Sequence, residues 1–420
     1  MLPTNSADRW TSRDVKILYF NPTGSLGGAE MCLLDVMAAL RQSRPDWSLE
    51  LIVGENGPLP EQAEALGVLC RVMPLPKAVA KMGDAGLKDR SGKPRGRLAL
   101  AVSAAPAVVP MTLYLARLRK AFRTAAPNVI HTNGMKAHVL GTWAAPRRTP
   151  LVWHLHDFLG SRAVMARLLR LVARPQITGV AVSHAVAQDA AQVLGDRIAI
   201  ETAYNAVDLE RFASEGPRID LDRASGLSPA PAGTVRVGLI GTFATWKGQD
   251  VFLDAIARLN QDSGRQSRFY IIGGPIYKTG GSQWSMEELK AHAKGLGIGD
   301  RVGFAGFQSD PSAAIRALDV VVHASTRPEP FGRVIVEGMA CEKAVIAVQG
   351  GGSAELFEDE KTALGIPPDD AQALAQAMSR LIADPELRAK IATAGRNAAV
   401  SRFDRNGLAG RWEQIYSTGL

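Results

Sequence analysis

Two glutamates separated by seven residues stand out in the segment RPEPFGRVIVEGMACEKAVIAVQGGGSAE at 327–355. Glu329 lies in a proline-flanked loop after a predicted strand. A helix is predicted to begin at 331–332, and Pro330 occupies a position where the first turn of a helix tolerates proline. Glu337 falls in the second or third turn of that helix. The start of that helix offers N–H groups and a positive dipole end to a diphosphate, and carboxylates accept hydrogen bonds from sugar hydroxyls. The spacing therefore favours a site for a sugar, a ribose and a diphosphate. Standing alone, the two glutamates would instead be typical of an ordinary helix capped by acidic residues.

A lysine and a glycine-rich turn have ordinary explanations when each is taken alone. Lys247, in the segment TWKG, is then typical of a solvated helix lysine. Gly27 and Gly28 close the turn NPTGSLGG at 21–28, and a glycine there would let a ligand approach the backbone closely. The spacing of this turn differs from GxGxxG, so a plain turn is the alternative.

Five of the seven histidines lie between 131 and 184. They form no HExxH pattern, and the three cysteines, at positions 32, 70 and 341, are far apart with no CxxC pair. We therefore expect no metal site, no disulfide framework and a reducing compartment. His156 ends the strand-like run PLVWHLH, and His131 and Asn133 end another, so these residues are expected at the edge of a sheet. Each could also be a loop residue with its hydrogen bonds satisfied locally.

The pattern of apolar runs predicts elements that would carry these residues. Strands alternate with helices in two series, which indicates an α/β fold with two doubly wound parallel sheets. The strands of the first series are predicted at 15–20, 49–53, 68–73, 128–131, 150–155 and 178–182, and those of the second at 235–241, 268–274, 301–307, 319–325 and 344–348. Ligands of such sheets lie beyond the carboxyl ends of the strands, so the expected site is a cleft between the two domains.

The same pattern predicts the domain organisation. A Pro-, Gly- and Ser-rich stretch separates the two series and is predicted to be a linker. The predicted segments are a loose tail at 1–14 without a secretion signal, an N-terminal domain at 15–204, the linker at 205–234, a C-terminal domain at 235–400, and a helix at 401–420 that packs back on the N-terminal domain.

The net charge of +8 is concentrated in one block. Residues 77–123 contain eleven Lys and Arg against two Asp, which gives +9, and the rest of the chain is close to neutral. We therefore expect no nucleic-acid partner. The block also includes the uncharged run 98–116, which Pro106 and Pro110 interrupt, so a membrane span is disfavoured. A basic and apolar surface resting on the inner face of an anionic membrane is one interpretation, and a solvated loop followed by a packing helix is the other.

The segment at 327–355 resembles the E-x7-E signature of retaining glycosyltransferases of family 4, including EPFG and the following Gly-Gly turn. Further resemblance is found in the family's order along the chain, in NPTGSLGGAE at 21–30, VIHTNGMKAH at 129–138, PLVWHLHD at 150–157 and GTFATWKGQDVFLDA at 241–255. The resemblance implies the GT-B fold, in which two Rossmann-like domains face each other. It makes residues 15–204 the acceptor-side domain and residues 235–400 the domain that holds most of the nucleotide-sugar. It also implies that no metal or other cofactor is needed.

The resemblance assigns roles residue by residue. Lys247 matches the lysine that contacts the donor diphosphate, Glu329 the residue that contacts the transferred sugar, and Glu337 the residue that holds the ribose. His156 matches the histidine near the reacting sugar, and with Lys247 and Glu329 it forms the expected catalytic set. The expected donor-binding residues are Gly27, Gly28, Thr242, Lys247, Phe331, Gly332, Arg333, Val334 and Glu337, and the candidate acceptor residues are His131, Asn133 and His154.

Thr242 departs from the family pattern, which has arginine at that position as a second phosphate contact. Arg333 or Arg327 could supply the missing charge. The function implied is retaining transfer of a sugar from a nucleotide-diphosphate donor to a hydroxyl of a lipid-linked or cell-envelope glycan. The alternatives are an epimerase or phosphorylase of the same fold, and a sensor that binds the nucleotide-sugar without turning it over.

Overall fold

The computed structural model describes residues 15–76, 97–259, 267–275 and 282–418, so the expected tail at 1–14 lies outside them. The chain forms two compact units. Unit 1 comprises Met1–Tyr204 and Arg405–Leu420, and unit 2 comprises Asn205–Asp404.

Unit 1 is built on a parallel sheet of seven strands in the order β3-β2-β1-β4-β5-β6-β7. The strands are β1 (Lys16–Asn21), β2 (Ser48–Val53), β3 (Leu69–Val72), β4 (Val129–Asn133), β5 (Leu151–Leu155), β6 (Ile177–Ala181) and β7 (Ala199–Thr202). The helices are α1 (Gly28–Ser43), α2 (Pro58–Ala65), α3 (Arg97–Ala125), α4 (Met135–Ala144), α5 (Ala163–Val172), α6 (His184–Leu194) and, from the end of the chain, α14 (Arg405–Thr418). The central strands β4 and β5 are buried along their whole length, as expected for strands covered on both faces.

Unit 2 contains a parallel sheet of six strands in the order β10-β9-β8-β11-β12-β13. The strands are β8 (Val235–Ile240), β9 (Ser267–Ile272), β10 (Val302–Gly306), β11 (Val320–His323), β12 (Ala344–Val348) and β13 (Leu364–Ile366). The helices are α7 (Leu221–Ala224), α8 (Gln249–Ala257), α9 (Met286–Gly295), α10 (Pro311–Arg316), α11 (Arg333–Ala340), α12 (Ala371–Ala383) and α13 (Pro385–Arg402). The two sheets and their helical layers confirm the predicted α/β fold class.

The sequence pattern missed short elements at the margins of both units. β7 and β13 are edge strands of four and three residues, and such short runs carry little periodic signal. The helix predicted to begin at 331–332 begins at Arg333 instead, as α11. Gly332 is its N-cap, with φ of 96°. Pro330 therefore precedes the helix rather than lying in its first turn.

The two faces of the sheet in unit 1 bury different side chains, since successive residues of a strand point to opposite faces. On one face, Trp153 of β5 stacks on His138 of α4. On the other, His154 lies against Trp412 of α14, with ring centroids 4.8 Å apart. The C-terminal helix α14 thus covers the second face, where it also packs along α1.

The basic and apolar block is only partly described, since residues 77–96 lie outside the described ranges. The apolar run 98–116 falls within α3, which continues through Pro106 and Pro110. Tyr114, Leu118 and Phe122 of this helix are buried, so one side of it packs on the unit. Within the described ranges, none of the helices has the length and apolar character required to cross a bilayer.

Residues 205–234, predicted to be a linker, belong to unit 2 and contain α7. Asp222 of this helix is 4% exposed and accepts hydrogen bonds from Tyr270 Oη at 2.6 Å and Arg268 Nη1 at 2.7 Å. It also accepts from Ala230 N at 2.9 Å and forms an ion pair with Arg236 at 3.3 Å. Burial opposes ionisation of this carboxyl, but its hydrogen bonds and the Arg268 charge lower its pKa from 3.8 to about 2. Asp222 therefore ties the segment to β8 and β9.

We expect Asp222→Asn to lower the free energy of unfolding by about 2–4 kcal/mol, because it leaves buried partners without their counter-charge. A carboxyl with a depressed pKa stabilises the fold above its unfolded pKa, so wild type should lose this contribution as pH falls from about 4 to 2. Urea denaturation at several pH values measures both effects. The control is Asp220→Asn, which keeps an N-cap that suits α7. Equal stability of the Asp222 and Asp220 variants at pH 7 would contradict the prediction.

Candidate functional site

Glu329 lies in the loop between β11 and α11, at the carboxyl edge of the sheet in unit 2. Its backbone oxygen accepts a hydrogen bond from Gly352 N at 2.8 Å. Gly351 has φ of 65°, and a Cβ there would lie 2.7 Å from the same oxygen. The Gly-Gly turn is therefore needed to hold the Glu329 backbone at this position.

The Glu329 carboxylate is almost completely enclosed by polar partners. Its side chain is 10% exposed and pairs through Oε1 with the Lys247 ammonium. His323 Nε2 lies 2.6 Å and Ser325 Oγ 2.6 Å from Oε2. A buried carboxylate must be paired and hydrogen-bonded in this way to remain ionised.

The electrostatics of this cluster keep Glu329 charged. Burial opposes ionisation, but the Lys247 charge and the contacts with His323 hold the pKa of Glu329 well below its usual range. Val348 N donates to His323 Nδ1 at 3.4 Å, so Nε2 is the ring nitrogen that donates to the carboxylate. The result is a fixed acceptor with a cation beside it, which suits hydroxyl groups next to a phosphate.

His323 and Ser325 are functional candidates that the sequence interpretation did not single out. They lie in the predicted strand DVVVHAS, and β11 itself ends at His323. The signal available was the change from valines to polar residues where the strand ends, but the pairing with Glu329 depends on the loop returning to that edge.

Lys247 is positioned by a tight turn before α8. It ends the 3-10 turn Thr245–Lys247, and the next residue, Gly248, has φ of 75° and would place a Cβ 1.9 Å from Ala324 O. Glycine at 248 therefore allows the turn to lie directly on the end of β11. The Lys247 ammonium also lies 4.4 Å from the centre of the Trp246 ring.

Helix α11 carries the remaining candidates of unit 2. Arg333 Nε and Glu337 Oε1 are 3.2 Å apart, and both side chains are 15% exposed. Phe331 is buried against Phe403, and Val334 is half-buried. The structure thus places Glu337 one helical turn from Gly332, near the helix start that the spacing predicted.

Thr242 occupies the position where the family pattern has arginine. Its backbone oxygen accepts from Gln249 Nε2 at 2.7 Å, and its buried hydroxyl has no hydrogen-bond partner within the part of the chain that is described. Of the two arginines considered as substitutes, Arg327 is exposed and Arg333 pairs with Glu337. Within the described ranges, the Thr242 hydroxyl forms no hydrogen bond with either arginine.

In unit 1 the glycine turn leads into α1. Gly27 is the N-cap, and its N–H donates to Glu30 Oε2 at 3.0 Å. A Cβ at Gly28 would meet nothing within 4 Å, whereas one at Gly24 would lie 2.2 Å from Glu55 O. The fold itself therefore requires glycine at 24, while the surroundings of Gly28 leave room beside the backbone.

The histidine-rich segment divides into an edge and a core. His156 is half-buried at the carboxyl edge of β5, and its Nε2 lies 2.7 Å from Asn133 Oδ1. His131 and His154 are 0% and 1% exposed and pack against the aromatic side chains of α14, with His131 Nδ1 2.7 Å from Tyr416 Oη. Burial lowers the pKa of both, so they are neutral core residues. This placement does not support the prediction that they line an acceptor pocket.

Comparisons with known proteins agree with both units. Residues 26–211 match the family model Glycosyltransferase Family 4, and residues 228–398 match the model Glycosyl transferases group 1. The lipopolysaccharide core biosynthesis glycosyltransferase LpsE of Rhizobium meliloti is 29% identical over 50% of this chain and 57% of its own length. A GDP-mannose-dependent phosphatidylinositol monomannoside mannosyltransferase of Mycolicibacterium smegmatis is 26% identical over 65% of this chain and 71% of its own. The chain thus spans little more than half the length of some of these relatives.

Solved structures reproduce the architecture over almost the whole chain. Anabaena Alr3699/HepE, determined in complex with UDP-glucose, superposes with a TM-score of 0.76 at 27% identity and covers 96% of this chain and 99% of its own. A sucrose-phosphate synthase from Thermosynechococcus elongatus, at 20% identity, has a TM-score of 0.72 and shares the fold. Because the two family models together match most of both units in the expected order, and the two sheets match those of solved relatives, this chain belongs to glycosyltransferase family 4 and has the GT-B fold.

Proposed function

We propose that this protein is a retaining glycosyltransferase that moves a sugar from a nucleotide-diphosphate donor, held by unit 2, to a hydroxyl group of a lipid-linked or cell-envelope glycan. The observation that carries the proposal is the buried Glu329 carboxylate paired with Lys247 at the carboxyl edge of the sheet. A fixed anion beside a fixed cation suits a sugar whose hydroxyls lie next to a diphosphate.

The residues have separate roles in binding the donor. An ammonium has three N–H donors, so Lys247 can keep its pairing with Glu329 and still donate to phosphate oxygens. Glu329 accepts from sugar hydroxyls, Glu337 from the ribose, and the N–H groups at the start of α11 face the diphosphate. HepE, which was solved with UDP-glucose, supports a nucleotide-sugar as the donor class.

The chemistry proposed is displacement on one face of the anomeric carbon. The bond to the departing phosphate oxygen breaks, the acceptor oxygen bonds to the same face, and the acceptor proton passes to the departing phosphate oxygen. Lys247 stabilises the charge that gathers on the diphosphate, so the reaction needs no metal ion. The protein otherwise contributes by positioning the two substrates.

The acceptor side is supported by relatives and by the surface of unit 1. LpsE and the mycobacterial mannosyltransferase are named for lipopolysaccharide core and phosphatidylinositol mannoside substrates. On α3, Val108, Val109 and Leu113 are exposed, and the turns that follow carry Arg117, Lys120 and Arg123, all exposed. The sequence contains no acidic residue between Asp89 and Asp157. An apolar strip beside positive charge fits docking on anionic lipid headgroups, where a lipid-linked acceptor would be reached.

Replacing either member of the ion pair should abolish most of the turnover. We expect Lys247→Ala and Glu329→Gln each to lower kcat by about 10²-fold or more, because each removes a fixed group that interacts with the reacting centre. A thermal-shift panel of UDP-, GDP- and ADP-sugars identifies a donor that binds, and release of its free nucleoside diphosphate measures turnover.

The matched controls are Lys361→Ala and Glu358→Gln, which remove an exposed ion pair of the same unit. These should leave turnover unchanged. Near-normal activity of the folded Lys247 or Glu329 variant would remove that residue from the mechanism. A nucleotide-sugar that binds wild type but is never turned over would instead support the sensor alternative.

The stereochemistry and the metal requirement can be tested in one reaction. We expect activity to persist in excess EDTA and the product to keep the anomeric configuration of the donor, since Lys247 and the helix start supply the positive charge. Proton NMR of the anomeric region measures both the turnover in EDTA and the anomeric configuration of the product. An inverted product, or strict dependence on added Mn²⁺, would show that the proposed mechanism is wrong.

Binding to membranes should depend on the basic residues of α3. We expect co-sedimentation with liposomes to rise with the fraction of anionic phosphatidylglycerol and to fall with salt. Replacing Arg117, Lys120 and Arg123 by serine should weaken it several-fold, as should the same change at Lys88, Arg90, Lys93, Arg95 and Arg97.

A control of equal charge is available in unit 2, where Arg258, Lys294 and Lys390 are exposed. Their replacement by serine should leave liposome binding unchanged. If wild type remains in the supernatant with anionic liposomes at low salt, the membrane proposal fails, and a soluble acceptor becomes the better hypothesis.

A further inference from the structure

Four polar side chains form a hydrogen-bonded chain along the carboxyl edge of the sheet in unit 1. It starts at Glu30 on α1, continues through Asn21 at the end of β1 and Asn133 at the end of β4, and ends at His156 after β5. Asn21 Nδ2 lies 3.5 Å from Glu30 Oε1, Asn133 Nδ2 lies 2.9 Å from Asn21 Oδ1, and His156 Nε2 lies 2.7 Å from Asn133 Oδ1. Asn21 and Asn133 are 0% and 1% exposed, so their amides depend on protein partners.

Groups that can only accept hydrogen bonds determine which atom donates at each link between these four side chains. A side-chain amide can be turned over, and its orientation follows from its partners. The amide nitrogen of Asn21 lies 2.6 Å from Thr23 O, a backbone carbonyl, and this assigns the Nδ2 end whatever the charge of Glu30. Its Oδ1 must therefore face Asn133.

The same argument orients Asn133. One end of its amide lies near Asn21 Oδ1 and, at 3.4 Å, near Ala29 O, so that end is the nitrogen. If this amide were reversed, three oxygens would face one another without a proton, which is costly for buried groups. Oδ1 of Asn133 consequently faces His156 and can only accept.

From this geometry we propose that Asn21 and Asn133, anchored by Thr23 and Glu30, are positioning residues that hold neutral His156 in the tautomer with its proton on Nε2. The ring nitrogen Nδ1 is then the acceptor nitrogen of His156. Because this nitrogen can only accept, a sugar hydroxyl that reached it would have to act as the donor. This last consequence rests on the proposed function, whereas the tautomer itself does not.

Asn133 changes its role under this proposal, and Asn21, Thr23 and Glu30 each gain one. Asn133 was a candidate acceptor-contacting residue, but its two amide ends are used by Asn21 and His156. Glu30 Oε2 accepts from Gly27 N at 3.0 Å, so the carboxylate at the start of the chain also holds the glycine turn. A change in the glycine turn is thereby connected to the orientation of His156.

The tautomer can be measured directly on the full chain. Two-bond ¹H–¹⁵N correlation spectra of ¹⁵N-histidine-labelled protein distinguish the two neutral tautomers, and loss of one set of signals in His156→Gln assigns His156. In wild type we expect the Nε2-protonated pattern. An Nδ1-protonated His156 in folded wild type would overturn the proposal without any variant being needed.

Two variants test the part played by Asn133. Asn133→Leu removes the acceptor, so the His156 signals should become those of a tautomer mixture. Asn133→Asp places a carboxylate 2.7 Å from the ring in the wild-type geometry, and the pH midpoint of the His156 titration should rise by about one unit or more. The titratable groups around His156 are His154, whose ring centroid is 3.9 Å away, His131 and His138, which interact with it electrostatically, and Asp157, the next residue in sequence.

The matched control is Asn128→Asp at the opposite end of β4, where Oδ1 accepts from Lys16 N. It should leave the His156 signals and midpoint unchanged. A His156 spectrum identical to wild type in both folded Asn133 variants would overturn the proposal. These spectra need neither the sugar donor nor the acceptor substrate. An inactive protein with the Nε2-protonated pattern would therefore count against the proposed function and not against the proposed tautomer.

Discussion

The buried carboxylate of Glu329 is the constraint on which the edge of unit 2 depends. An ionised group with a tenth of its surface exposed persists only if its charge is balanced and it accepts hydrogen bonds. Lys247 balances the charge, His323 and Ser325 occupy the second oxygen, and the Gly-Gly turn at 351–352 fixes the backbone. Three separate segments of the chain thus meet at one residue.

Parallel strands explain why these segments can meet. All strands of a parallel sheet end at the same edge, so the residues that follow them converge even when they are far apart in sequence. In unit 2 this edge collects Lys247, His323 and Glu329. In unit 1 it collects Asn21, Asn133 and His156, which are linked by hydrogen bonds rather than by an ion pair.

The two units therefore present different chemistry from similar sheets. The edge of unit 2 holds fixed charges of both signs, which suit a charged and hydroxylated ligand. The edge of unit 1 holds amides and an imidazole whose protons are directed by backbone carbonyls at Thr23 and Ala29. This difference is consistent with the proposed transfer from a charged donor to a neutral hydroxyl.

The sequence by itself determined the fold class, the long strands and the segment around Glu329, because continuous apolar runs and turn residues report local structure directly. It also placed Lys247, Glu329 and Glu337 in one family pattern. Only the tertiary structure decided that His323 and Ser325 hold Glu329. It also assigned residues 205–234 to unit 2 through the contacts of Asp222. In unit 1 it placed His131 and His154 beneath α14 and left His156 at the edge of the sheet. These outcomes depend on which face of a strand is covered by a segment distant in sequence, and no local pattern of residues carries that information.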